Sequence, residues 1–232
     1  MKICYINQQI GIGDVFFGQK IAQHYVKQGY KVIWPVREDL LWYNDYLDSP
    51  GVHFVSPGTK VHVNDKEVHP DVYLDLQNAD QRVQCTSVLE AKYDYAGIDW
   101  KDWADYFKFK RNKEKEDRLY YDVLGLKDNE EYAFINPYVG TPPNTIIKEA
   151  MSNIEVNMKR VDIQFLDDYN VLDWCRVLED ATEIHMVDTC FNYIYDKLSP
   201  KAKVKNLYSR FTPGSWHDVG NLFKLDWNYL DV

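Results

Sequence analysis

The chain has 232 residues, enough for one large domain or two small ones, and carries a formal net charge of −9. That acidity argues against a general nucleic-acid binder, which presents a basic stripe or patch. No apolar run approaches the roughly 20 residues of a membrane-spanning helix, and Met1-Lys2 leads straight into an apolar run rather than a leader, so no membrane span and a cytoplasmic location are expected.

Ile3-Cys4-Tyr5-Ile6 reads as a strand buried in a parallel sheet. Asn7-Gln8-Gln9-Ile10-Gly11-Ile12-Gly13-Asp14 follows it, and Val15 to Gln28 repeats apolar residues at helical spacing until Gly29 ends the pattern. This is a strand, glycine loop and helix in succession, the junction at which open α/β sheets bind ligands. Gly11 and Gly13 let the backbone turn and approach a ligand. Asp14 would repel phosphate at a helix start. The loop therefore suits hydroxyl binding or a base, with Gln9, Gly11 and Gly13 on the acceptor side and Asp14 as the acid. The alternative is that Asp14 merely caps the helix.

Lys31–Val36 is the next strand, Glu38–Leu47 a helix, and Val52–Val55 a third strand closed by Ser56-Pro57-Gly58. Residues 60–69 read as a hairpin flanked by His62 and His69, and Asp71–Leu76 as a fourth strand. Val88–Tyr95 and Trp100–Leu124 are helical in period, the latter dense in aromatics and charge, and Lys127–Glu130 is a linker. The alternation restarts with strand Tyr132–Ile135 and a proline-rich loop over 136–145, where Thr141, Asn144 and Thr145 are candidate phosphate or sugar contacts. Val156–Val161 is a further strand, Asn170–Leu178 a helix, Glu183–Val187 a strand, 191–198 a helix and Val204–Tyr208 a last strand. Alternating strands and helices imply a mostly parallel sheet in each half. The expected organisation is an N-terminal lobe over 1–97, a helical link over 98–128, a C-terminal lobe over 129–213 and a tail over 214–232 that packs back on the link. The cysteines, at 4, 85, 175 and 190, are scattered without a CxxC, which suits buried free thiols in a reducing compartment.

The second site signal is Met186-Val187-Asp188-Thr189-Cys190-Phe191-Asn192-Tyr193, where an apolar strand ends in Asp-Thr and a helix begins. Thr189 can donate to a phosphate and Asn192 can add an amide, though Asp188 or Thr189 as an ordinary cap is the simpler alternative. Arg210 ends the last strand on the same sheet edge as Asp188. Arg111, Lys110 and Arg160 are further basic candidates. No Asp-x-Asp, H-x-x-x-H or H-E-x-x-H occurs, so no metal is expected and helix ends and basic side chains must neutralise a leaving diphosphate. Walker A and G-x-S-x-G motifs are also absent, which weakens NTPase and hydrolase readings.

Gly13-Asp14 after the first strand, with Asp188-Thr189 after a late one, resembles the ADP-heptose:lipopolysaccharide heptosyltransferase family. Gly11-Ile12-Gly13-Asp14-Val15-Phe16-Phe17 is also similar to the glycine loop of GT-B fucosyltransferases. The resemblance implies a compact GT-B plan of two small Rossmann-like lobes facing a cleft. It implies Asp14 as the base and Asp188 and Thr189 on the nucleotide diphosphate; Asn192, Arg210, Arg111 and Thr141 are added to the donor side from their own positions, and no cofactor is expected. The implied activity is metal-independent transfer of a sugar from a nucleotide-diphosphate donor to a glycan hydroxyl. Cys190 stands where that family has glycine and Tyr193 where it has histidine. A non-catalytic nucleotide- or sugar-binding module is therefore the rival reading.

Overall fold

Strands buried on both faces of a parallel sheet read as continuous apolar runs, and the apolar runs above are strands in the computed structural model. It describes residues 1–60, 62–63, 66–67, 69–83, 87–140, 145–210 and 222–231. The chain divides into two units, Met1–Lys110 and Arg111–Val232.

In the first unit, β1 (Lys2–Ile6), β2 (Tyr30–Pro35), β3 (Val52–Val55) and β4 (Val72–Leu74) form one parallel sheet in the order β3-β2-β1-β4. This is the Rossmann order, whose direction reverses between β1 and β4. Two helices follow β1, namely α1 (Ile12–Phe17) and α2 (Gln19–Lys27). The single helix expected from residue 15 therefore starts earlier and breaks at Gly18. A Cβ on Gly18 would lie 2.9 Å from Cη2 of the buried Trp34, so only glycine lets the helix pass over β2 this closely. The helix α3 (Val88–Ala96) is capped by the Ser87 hydroxyl, which accepts from the backbone of Leu89 and Glu90, and ends at left-handed Gly97.

The helix expected over 100–124 is divided between the units. Trp103–Asp105 is one 3₁₀ turn, and Phe109 then pairs with Leu47 in an isolated antiparallel bridge. Phe107 stacks on Phe16 at 4.4 Å between centroids, and Trp103 meets Phe17 edge-on at 5.2 Å. Burying these rings outweighs helical propensity, so the run is laid flat against α1 instead of continuing as a helix. Only Lys113–Arg118, here α4, and the wider π turn Leu119–Val123 are helical in the second unit. The hairpin is present as His62–Val63 against Lys66–Glu67.

The second unit's sheet contains β5 (Tyr132–Asn136), β6 (Lys159–Asp162), β7 (Glu183–Val187), β8 (Val204–Tyr208) and β9 (Asn228–Leu230). All are parallel, in the order β6-β5-β7-β8-β9, a flavodoxin-like arrangement that reverses between β5 and β7. The helices α5 (Cys175–Asp180) and α6 (Cys190–Tyr195) flank β7 in sequence. The described part of the tail, 222–231, packs within the second unit. It supplies β9, and Trp227 and Phe223 pack on Tyr195 and Tyr193 of α6, at 5.2 Å in both cases. The driving force is burial of Leu222 and Trp227. Cys4 and Cys175 are buried free thiols, Cys190 is partly buried and free, and Cys85 lies outside the described residues. Burial pushes the Cys4 thiol up to about 12, so it stays neutral.

Candidate functional site

Each unit brings some of the residues singled out in sequence to the carboxyl end of its own sheet, beside its own reversal point. In the first unit the loop after β1 is laced to the loop after β4. The Asn7 backbone N–H donates to Leu74 O (2.7 Å) and its side-chain amide to Asp75 Oδ1 (2.9 Å). Gln77 N–H donates to Asn7 O (3.0 Å), and Gln77 Oε1 accepts from Gln9 N–H (3.1 Å). Trp34 Nε1 donates to Gln8 O at 3.0 Å. Asn7, Gln8 and Gln9 are thus each tied by backbone or side-chain bonds to residues at or just after the ends of β2 and β4.

Asp75 is buried and accepts from Asn7, from Asn78 (3.0 and 3.2 Å) and from Arg82 (2.7 Å). Burial alone would raise its pKa, but the hydrogen bonds from Arg82, Asn78 and Asn7 outweigh burial and hold it below the usual aspartate value. A carboxylate so occupied is a brace between loops and a poor proton acceptor.

Asp14 is not the cap of its helix. The N-cap of α1 is Gly11, at φ +85°, and no side chain caps the helix. Asp14 lies in the first turn, where negative charge suits the helix dipole. Its carboxylate folds back over Gly11, since a Cβ on Gly11 would fall 2.1 Å from Asp14 Oδ2. Its Oδ1 lies 3.2 Å from Nζ of Lys92, whose side chain is 3 % exposed against 29 % for Asp14. Lys92 also donates to Gln8 Oε1 (2.8 Å) and Leu76 O (2.9 Å). Sequence reasoning missed Lys92. Nothing in Glu90-Ala91-Lys92-Tyr93 marks it off from a solvated helical lysine, and only the structure shows it buried between Ala91 and Tyr93.

In the second unit Asp188, Thr189, Asn192 and Arg210 do converge. Asp188 ends β7 and accepts from Asn192 Nδ2 at 3.0 Å. Arg210, after β8, donates through Nε and Nη2 to Asp188 O at 3.1 and 2.9 Å, and its Nη2 lies 3.9 Å from Asp188 Oδ2. Thr189 is the N-cap of α6 by backbone position, with no capping hydrogen bond from its side chain. Its hydroxyl lies 3.5 Å from Asn136 Nδ2 at the end of β5, across the reversal point. Asn192 Oδ1 and Ser209 Oγ are buried there without a hydrogen-bond partner among the described residues.

Arg111 is placed differently. It donates to Glu116 Oε1 (2.8 Å) and Glu179 Oε2 (2.6 Å), and Glu116 is fully buried, so the guanidinium neutralises a core carboxylate. Arg160 is likewise engaged, with Asp162 and Ile154 O. Thr141 and Asn144 lie outside the described residues. Among the described residues no group of three His, Cys, Asp or Glu is arranged to hold a metal ion, and no helix is long and apolar enough to cross a membrane.

No protein-family model matches the chain, and no curated protein matches it in sequence. The two parallel-sheet α/β units match the GT-B fold, and solved structures of glycosyltransferases superpose on this chain. A glycosyl transferase family 9 protein from Veillonella parvula DSM 2008 aligns at a TM-score of 0.56 and 8 % identity, covering 99 % of this chain and 87 % of its own. The iron-containing dodecameric glycosyltransferase TibC from enterotoxigenic E. coli H10407 aligns at 0.50 and 12 % identity, covering 92 % of this chain and 60 % of its own. E. coli heptosyltransferase WaaC with ADP aligns at 0.45 and 12 % identity, covering 100 % and 91 %. The fold assignment rests on the first two.

Proposed function

We propose that this chain is a metal-independent glycosyltransferase that moves a sugar from a nucleotide-diphosphate donor to a hydroxyl of a glycan or glycoconjugate. The observation that carries the reading is Asp14, an acid held over a glycine at the reversal point of the first sheet, in a chain with a glycosyltransferase fold. In the reaction the acceptor oxygen bonds to the anomeric carbon. The bond from that carbon to the diphosphate oxygen breaks, and its electron pair leaves with the nucleoside diphosphate. The acceptor proton passes to the Asp14 carboxylate. Thr189 and the 40 %-exposed Arg210 are assigned to the diphosphate, with Asp188 and Asn192 holding them in place.

A second reading, a non-catalytic nucleotide- or sugar-binding module, is favoured by Tyr193. It occupies the position of the family's histidine and is buried against Phe223.

The test is a thermal-shift screen against UDP, GDP, ADP, CMP and their sugars, since a ligand of the folded state raises its apparent stability. Transfer is then assayed with the donor found. A general base contributes about 10²- to 10⁴-fold, so Asp14→Asn should bind donor normally and lose at least ~10²-fold in transfer. Chelation with EDTA should leave the rate unchanged. Donor binding without turnover selects the module. A requirement for Mn²⁺ or Mg²⁺, or near wild-type turnover by Asp14→Asn, refutes the mechanism.

A further inference from the structure

We infer that Lys92 is a positioning residue for Asp14, acting on transfer through that carboxylate; the inference rests on the transferase reading above. A buried ammonium is tolerated only when its charge is matched and its hydrogens are bound. Lys92 meets both conditions in one place. Its ammonium donates to Gln8 Oε1 and Leu76 O, from the loops after β1 and β4 on the two arms of the reversal point, and its charge is matched by Asp14 Oδ1 in the first turn of α1. Gln8 is fixed in turn by its own amide, which donates to Ile10 O at 2.6 Å.

The arrangement leaves the carboxylate little freedom. Oδ1 is drawn inward by a cation sealed from water, while Oδ2 rests where a side chain on Gly11 would have to stand. Asp14 retains 29 % of its side-chain exposure, so the pair is closed on the lysine side and open on the acid side. A base must hold its lone pair where the acceptor proton will be, and misplacement by about 1 Å is enough to cost ~10²-fold. Lys92 supplies that constraint from behind, out of reach of substrate.

The experiment is a double-mutant cycle of Asp14→Asn and Lys92→Met, with kcat at saturating donor and acceptor, donor Kd and melting temperature as readouts. Methionine fills the buried stem's volume without charge. Lys92→Met is expected to lower kcat at least ~10-fold with donor Kd unchanged, and to lower it no further in the Asp14→Asn background. Lys92→Arg, which keeps the cation, should recover part of the rate and stands in if the methionine variant does not fold. Asp14→Asn should depress the melting temperature more with Lys92 present than with methionine there. Equal kcat losses in both backgrounds, or none, would overturn the positioning role and leave Lys92 as a fold element. Absence of transfer by the wild-type chain with any donor overturns the transferase reading, and the role with it, even where the melting temperatures show the pair to be coupled.

Discussion

Gly11→Ala puts the geometry of the first site under direct stress. An added Cβ would sit 2.1 Å from Asp14 Oδ2, whereas ordinary contact begins near 3.4 Å, so the carboxylate must retreat by about 1.3 Å (3.4 minus 2.1). If that retreat lengthens the 3.2 Å pair with Lys92 to about 4.5 Å, the Coulomb attraction at an effective dielectric near 20 falls by about 1.5 kcal/mol. Holding alanine at φ +85° adds roughly 1–3 kcal/mol of backbone strain. The two contributions together predict a loss of about 2.5–4.5 kcal/mol of stability. The displacement is also large enough to cost transfer on the order of 10²-fold. Urea unfolding gives the first quantity and saturating kinetics the second. In an Asp14→Ala background the steric contribution disappears and only the strain remains. A Gly11→Ala chain with wild-type stability and kcat would show that the carboxylate does not lie over Gly11.

Three further outcomes follow from the same structure. Thr189→Val and Arg210→Ala should each weaken nucleotide binding by about 1–2 kcal/mol in calorimetry, the arginine effect being larger at low salt; unchanged affinity in both places the diphosphate elsewhere. Arg111→Ala leaves the buried Glu116 with Lys113, 3.6 Å away, as its one remaining cation among the described residues, and should destabilise the chain by about 3 kcal/mol. Nucleotide affinity per folded molecule should stay intact in that variant, and a loss of affinity would return Arg111 to the donor site. Asp75 has a folded pKa below its unfolded value of about 4, so its contribution is present above that pH and lost as pH falls toward the folded pKa. Asp75→Asn should therefore flatten the acid limb of stability against pH, and an unchanged limb in urea melts would show that the brace carries no linkage.

Much of the architecture is visible in the residues. The central strands β1, β2, β5 and β7 were readable as apolar runs, because sheets covered on both faces leave a continuous hydrophobic signature, whereas edge strand β6, Lys-Arg-Val-Asp, carries none and lies three residues later than expected at its start. The loops Asn7–Asp14 and Asp188–Asn192 were locatable because each interrupts such a run at its carboxyl end. β9 was hidden by its brevity and by tryptophans that suggest docking in general without naming a surface. The start of α1 was misplaced since Gly11 and Gly13 disguise a first helical turn. Lys92 was invisible for a different reason. A helical lysine is ordinarily solvated, and only the third dimension shows that its partner is an acid 78 positions earlier (92 minus 14). Arg111 erred in the opposite direction, since nothing local reveals that Glu116 is a buried carboxylate needing a cation.

The packing of Trp103 and Phe107 on Phe17 and Phe16 also bears on how the first unit is assembled. The helix that begins at Gly11 acquires its outer cover from residues about ninety positions later, so during synthesis it must wait for most of the unit to emerge. A fragment ending at residue 97 would keep Tyr43 and Tyr93 against Phe16 and Phe17 but strip away Phe107 and Trp103, and such exposed apolar surface favours aggregation. Dissection of the protein into its halves therefore has its natural scissors point after Lys110, where the contacts of the first unit are complete.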